Sequence, residues 1–184
     1  MALDVPDLAD DRIRLRPPAL TDVDAITAAV QDPAIPRFTR IPSPYRRADA
    51  VTWVGAAASA WRRGAEAGFV IVERDTEIVL GGIGVHQLGG TDGPPFVGYW
   101  VAATARGEGI ATRALRLVVA WAFGRLGLEQ LTAWVYADNP VSPRVLEAVG
   151  FRRDPGEPAA IAHATGARAA HHFTLARDDA VLAG

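Results

Sequence analysis

Apolar and polar side chains alternate strictly through Arg12-Ile13-Arg14-Leu15-Arg16, and that period of two predicts a strand with one polar face. Pro17-Pro18 closes it. Thr21 follows as a hydroxyl N-cap, with Asp22 and Asp24 in the first turn, where the positive end of a helix favours carboxylates. From Gln31 to Arg47 the periodicity breaks, because Pro33, Pro36, Pro42 and Pro44 bar both helix interior and central strand. Arg37, Phe38, Arg40 and Tyr45 give this stretch the make-up of a binding loop or a plain surface connection. Asp49 to Gly64 returns to helical spacing at Val51, Val54, Ala58 and Trp61. Phe69–Glu73 and Ile78–Leu88 read as two strands of a hairpin across Arg74–Glu77. After a turn from Gly89 to Pro94, Phe96–Val101 is a further strand. Gly109 to Leu126 is a helix with Ile110, Ala114, Leu117, Val118 and Trp121 on one face. Leu131–Tyr136 is a strand, and a short helix then runs to Val149, closed by Gly150 and Phe151 in a Schellman end. Arg152 to Ala176 holds one or two more strands, within which the alanine-rich stretch 159–170 shows no period.

This order of elements makes an α+β domain, since a doubly wound sheet would alternate strand and helix throughout. The 184 residues suffice for one domain with its own core. Its expected limits are 12–177, after a flexible segment at 1–11 and before a tail at 178–184. With 49% apolar and 22% charged residues the composition is globular, not disordered. A net charge of −2 spreads no basic footprint, so nucleic acid is not an expected partner. All 19 basic residues are arginine. The lack of lysine excludes a Walker A loop and a Schiff base, and zero cysteine excludes disulfides, a thiol nucleophile and cysteine-rich metal sites. The 4 histidines lack metal-ligand spacing, and adjacent His171 and His172 in a strand face opposite ways, so no metal is expected. No apolar run approaches the ~18 residues that span a bilayer, and Met1–Asp11 lacks the basic-then-apolar order of an export signal. The expected setting is therefore cytoplasmic and away from membranes, as a monomer or homodimer.

Candidate chemistry concentrates between Gly98 and Thr112, where a strand runs into a glycine-bearing turn that opens a helix. Such a turn presents free backbone N–H groups at a positive dipole end, which favours a phosphate. Gly107 and Gly109 permit close approach of an anion, and Arg106 can add a charge-assisted contact. Gly107-x-Gly109 also opens like a dinucleotide fingerprint, but its third position is Thr112, and Glu129 precedes the next strand instead of ending one, so that reading is rejected. Gly81-Gly82-Ile83-Gly84 lies in a strand pattern with no helix after it and marks a bulge or close packing. Directly after Leu131–Tyr136 comes Asn139-Pro140-Val141-Ser142-Pro143-Arg144, in which either Asn139 or Ser142 fits an N-cap followed by proline.

Taken in order, these motifs resemble the GCN5-related N-acetyltransferase superfamily, in particular its ribosomal-protein alanine and serine N-terminal acetyltransferase branch. The superfamily's R/Q-x-x-G-x-G/A signature reads here as Arg106-Gly107-Glu108-Gly109-Ile110-Ala111, after a strand and before a helix. The branch's Asn-x-x-Ser followed by Gly-Phe is matched by Asn139, Ser142, Gly150 and Phe151. Its opening is similar to Leu15-Arg16-Pro17 with Thr21-Asp22, and Tyr45 to Trp53 resembles its second-helix entry. The likeness covers residues 12 to 153. It implies a mixed, mostly antiparallel central sheet, splayed between Phe96–Val101 and Leu131–Tyr136 and flanked by about four helices.

The resemblance also implies acetyl-CoA as co-substrate, an amine-bearing small molecule or a protein N-terminus as acceptor, and no metal. Backbone groups of Trp100, Val101 and Ala102 would pair with the pantetheine arm as an added strand does. The pyrophosphate would sit on Arg106, Gly107, Glu108, Gly109, Ile110, Ala111 and Thr112. Asn139 would bond the pantetheine, and Arg144 could reach the CoA phosphates or face solvent. The Val101 N–H would polarise the thioester. Ser142, or else Tyr136, would protonate or hydrogen-bond the leaving thiolate. Arg37, Phe38, Tyr45 and Tyr99 are the candidate acceptor contacts. Without cysteine no cysteinyl acetyl-enzyme can form, so the implied route is direct attack in a ternary complex. An α-amine titrates near 8 against about 10.4 for lysine, which makes it the easier acceptor to deprotonate. Relatives often carry glutamate just before the Gly-Tyr-Trp of this strand, where this chain has Phe96; His86 or a water chain is the alternative base. Ala169-Ala170-His171-His172 also replaces the acidic residue often found before the last strand. An acyl-CoA-binding module without catalysis, regulating a partner, is the alternative function.

Overall fold

The computed structural model describes residues 6–90 and 93–180. Thr91 and Asp92, in the turn expected from Gly89 to Pro94, lie outside the described residues, as do the outer parts of the expected flexible segment and tail. The described chain runs β1 (Leu8–Ala9), β2 (Ile13–Arg16), α1 (Val23–Ala29), α2 (Ala34–Phe38), α3 (Arg47–Arg63), β3 (Ala67–Glu73), β4 (Val79–His86), β5 (Phe96–Val101), α4 (Ile110–Gly124), β6 (Gln130–Tyr136), α5 (Ser142–Glu147), β7 (Arg152–Arg153), β8 (Ala159–His163) and β9 (Gly166–Ala176). Strand order across the sheet is β1-β2-β3-β4-β5-β6-β9-β7, with β8 paired to β9. Every neighbouring pair is antiparallel except β5 and β6. This is the expected mixed α+β architecture.

The strict alternation at the start of the chain resolves as read, with Ile13 and Leu15 buried and Arg14 exposed. One face of the sheet packs on α4 through Phe69, Ile71, Ile110, Leu115 and Val118. The opposite face packs on α1 and α3 through Val70, Val72, Val23, Ile26 and Val54. The buried edge of α3 runs through Ala50, Val54, Ala57 and Trp61, so Val51, at 39% exposure, lies off it and Ala58 is exposed too. Trp61 meets Phe69 and Trp121 at ring separations of 5.1 and 5.8 Å, tying α3 to α4 around β3.

Several local expectations change. Thr21 does not cap α1: Asp22, the residue before the helix, turns its carboxylate back to accept the Ala19 N–H at 2.7 Å and grips Arg16 through two bonds of 2.8 Å. Burial opposes its ionisation, but Arg16 and the Ala19 N–H outweigh burial and hold the carboxyl below its ordinary range. The proline-rich stretch contains the short helix α2, because Pro36 falls in its first turn, where an amide N–H has no intrahelical acceptor to lose. Residues 1–11, expected to be flexible and outside the domain, contribute β1, fastened where Asp10 accepts the Arg12 and Ile13 N–H groups. The alanine-rich stretch becomes the β8–β9 hairpin. Gly150 and Phe151 close α5 as expected, their N–H groups donating to Glu147 and Leu146.

Candidate active site

β5 and β6 share one register pair, Phe96 with Thr132, and the Thr132 N–H donates to Pro95 at 2.9 Å. Beyond that point the strands diverge, giving the expected splay. The rest of β5 stays paired with β4. Backbone groups point to alternate sides along a strand. Because the Ala102 N–H donates to Leu80 of β4 at 2.8 Å, Trp100 and Ala102 direct their amides toward β4. The Pro95 carbonyl faces β6, so Val97, Tyr99 and Val101 turn their backbone groups into the splay. Of the three residues expected to pair with an extended arm, only Val101 has its amide on the open side. Trp100 instead contributes its ring: a Cβ at Gly82 would come within 2.6 Å of the indole nitrogen, and one at Gly81 within 2.4 Å of the Trp100 carbonyl. Both glycines are required by close approach, and a register shift between Ile71 and Val72 places a bulge beside them.

The turn after β5 has Gly107 at φ +81° and Gly109 at φ +75°, a backbone conformation that L side chains resist. A Cβ on either would touch nothing within 4 Å, so the backbone there is uncovered. The Arg113 N–H is already satisfied by Gly109, and the first-turn amides of α4 before it lack intrahelical acceptors. Ile110 turns its side chain into the core, and Glu108 pairs with Arg12, so both offer the turn backbone only. The Arg106 guanidinium is engaged elsewhere. It donates to Asp32 at 3.0 Å and to the Val101 carbonyl at 3.3 Å, bracing the turn against the α1–α2 connection.

At the mouth of α5, Asn139 accepts the Val141 and Ser142 N–H groups at 3.1 and 3.2 Å, which makes it the cap. Its own amide donates to the Ser142 hydroxyl at 3.1 Å. Ser142 therefore has a hydroxyl held in place but no capping duty. Tyr99 donates to the Ser142 carbonyl at 3.4 Å, and burial pushes its phenol up to about 12. Tyr136 is committed to the Ala162 carbonyl at 3.0 Å.

Tyr99, Trp100, Asn139 and Ser142 open onto a cavity of about 940 Å³ that also takes in Phe38, Tyr45 and His86. Arg37 is not part of its lining. Its guanidinium bonds Asp138 at 3.1 Å, and Arg168 joins the same carboxylate at 2.6 Å while donating to the Arg37 carbonyl. The His163 Nε2–H donates to the Pro36 carbonyl at 2.8 Å. These contacts tie the β8–β9 hairpin to α2 and roof the cavity. Two acidic residues here were missed in the sequence: Asp32, which holds Arg106, and Glu66, whose Oε2 lies 3.1 Å from His86 Nδ1. The bond to His86 is the main cause that keeps the Glu66 carboxyl below its ordinary range. An isolated carboxylate between a helix and a strand leaves no sequence pattern.

A ladder broken in this way, with a helix start beside the break, makes a groove that ends at uncovered backbone amides. The sequence model of the acetyltransferase (GNAT) domain matches residues 12–152. Over 149 residues the chain is 28% identical to the uncharacterised N-acetyltransferase YoaA of Bacillus subtilis, covering 81% of this chain and 84% of that one. RimJ of Mycobacterium smegmatis, solved in complex with CoA-disulfide, superposes with a TM-score of 0.78 at 24% identity, over 90% of this chain and 82% of that one. Spermidine N-acetyltransferase from Vibrio cholerae, solved with CoA and spermine, gives 0.76 at 15% identity, over 92% and 98%. The chain belongs to the acetyltransferase (GNAT) domain family. It is an acetyl-CoA-dependent N-acetyltransferase. Among the described residues, no helix is long and apolar enough to cross a membrane.

Proposed function

We propose that the chain transfers acetyl from acetyl-CoA to the primary amine of a slender acceptor, either a protein N-terminus or a small linear amine, by direct attack in a ternary complex. The observation that carries this is the continuity of the β5–β6 splay with a roofed, aromatic-lined cavity, which lets two ligands meet end to end at Tyr99 and Ser142. The pantetheine arm runs along β5 and pairs with Val101. The amides from Gly107 to Thr112 receive the pyrophosphate, while Arg106 braces that turn without touching phosphate. The Val101 N–H polarises the thioester carbonyl, and the Ser142 hydroxyl, held by Asn139, hydrogen-bonds the sulfur as it leaves. Phe38 and Tyr45 contact the acceptor. The folded domain runs from β1 through β9, and the protein acts in the cytoplasm.

Thiol release from acetyl-CoA, measured against peptides beginning with alanine or serine and against spermidine, tests this reading. Turnover with at least one amine, accompanied by acetylated product in mass spectrometry, is expected. Tight acetyl-CoA binding with no turnover across the panel would overturn it in favour of a regulatory acyl-CoA-binding module.

A further inference from the structure

Phe96 stands where the resembled branch often carries glutamate, and it offers no proton acceptor. The face of the sheet beside it does. His86 is paired with Phe96 across β4 and β5, and the two rings stack at 4.8 Å with 23° between their planes. Nδ1 points back to Glu66. Nε2 points the other way, since a Cβ built on Gly84 or on its cross-strand partner Gly98 would come within 3.3 or 3.8 Å of it. Nε2 thus lies over two glycines, further along β5 toward Trp100 and the splay, inside the cavity.

The bulge sets up this arrangement. Near the turn Val72 pairs with Val79, but after the register shift Ile71 pairs with Gly81 and Ala67 with Val85. Extending that register places Glu66 opposite His86. Without the extra residue Glu66 would face Val85, and His86 would turn to the other face of the sheet.

We propose that His86 is the catalytic base, taking a proton from the acceptor ammonium through Nε2, and that Glu66 is its positioning residue. This rests on the acetyl-transfer reading above. Glu66 lies 3.1 Å from Nδ1, and its negative charge favours the proton on that nitrogen, which leaves the lone pair on Nε2. The ammonium loses a proton to Nε2, and the freed nitrogen pair forms the C–N bond to the thioester carbonyl carbon. Collapse of the tetrahedral adduct breaks C–S, and the electron pair leaves on sulfur. The second amine proton passes to that thiolate through the Ser142 hydroxyl, and the imidazolium returns its proton to solvent. The products are an amide, free CoA and one proton. The other charged or titratable groups facing His86 across the cavity are Arg40, Asp49 and Arg63, with the phenols of Tyr45, Tyr99 and Tyr136.

The test is the pH profile of kcat for the full chain, with saturating acetyl-CoA and an alanine-initiated peptide or spermidine, whichever turns over. The wild type should show a rising limb that reports loss of a proton from the base. His86→Gln should lose roughly 10²-fold in kcat, and its limb should move up to the pKa of the acceptor amine. Glu66→Gln leaves the imidazolium unpaired, so its limb should shift to lower pH with a fall in kcat of about tenfold. Acetyl-CoA affinity should stay at the wild-type value in both, which also shows that the variants are folded. Wild-type kcat and limb in His86→Gln would overturn the assignment while leaving the acetyl-transfer reading intact. A wild type that binds acetyl-CoA yet acetylates neither probe would overturn that reading, and the base with it.

Discussion

Ser142 and Asn139 fit a helix cap equally well on sequence, and the structure separates them. Asn139 accepts the two amides, whereas the Ser142 hydroxyl only receives the Asn139 amide. Asn139→Ala should therefore cost about 1 kcal/mol of stability, the usual worth of such a cap. Ser142→Ala should change stability by less than about 0.5 kcal/mol. If the hydroxyl meets the leaving sulfur, the same substitution should lower kcat by roughly 10²-fold. Acetyl-CoA affinity should barely move, because the interaction strengthens only as negative charge develops. Thermal melts and steady-state thiol release measured on both variants separate the two jobs. A Ser142→Ala enzyme of full activity would reduce the hydroxyl to a bystander.

At the scale of elements, the turn between β5 and α4 can be tested by separating strain from charge. Gly109 sits at φ +75° with open space where a side chain would go. Gly109→Ala should cost about 1 kcal/mol of stability and leave CoA binding within a few-fold. Gly109→Glu carries the same strain and adds a carboxylate beside the helix start, so it should abolish CoA binding in calorimetry while the protein still folds. Equal binding by the two variants would remove phosphate from this turn. Such elements are legible in a sequence because their signals are local: alternation at Ile13 and Leu15, helical spacing from Ile110 to Trp121, and paired glycines before α4. The alanines of β8 and β9 gave no signal, because methyl side chains carry too little contrast to show a period. Glu66 escaped notice for a different reason. Its partner is set by the bulge near Gly81, and the glycines marked a bulge or close packing without telling which register results. The same holds for Arg106, whose charge suits a phosphate on paper but is claimed by Asp32, a residue distant in sequence.

At the scale of the molecule, the cavity is bounded by contacts between segments far apart in the chain. Arg168 reaches both Asp138 and the Arg37 carbonyl, and His163 reaches Pro36. Arg37 first, and Arg168 with it, hold the Asp138 carboxyl below its ordinary range, so these ties persist from mildly acidic to alkaline pH. Such exposed pairs add little to global stability. Arg168→Ala should leave the melting temperature nearly unchanged and acetyl-CoA affinity intact, yet raise the acceptor KM several-fold as the roof loosens. It should also admit bulkier amines that the wild type rejects. Unchanged acceptor selectivity in this variant would show that the roof does not gate entry.

The single rung between Phe96 and Thr132 has a mechanical consequence. The five strands from β1 to β5 and the four from β6 to β9 form two plates, riveted at one point and backed by α4. Two plates so joined can scissor about the rivet with little loss of hydrogen bonding. If acetyl-CoA lays its arm between them, as proposed, it would add the missing cross-ties, so the occupied molecule would be a stiffer frame than the empty one, and the hinge that admits the donor would be the hinge its arrival locks.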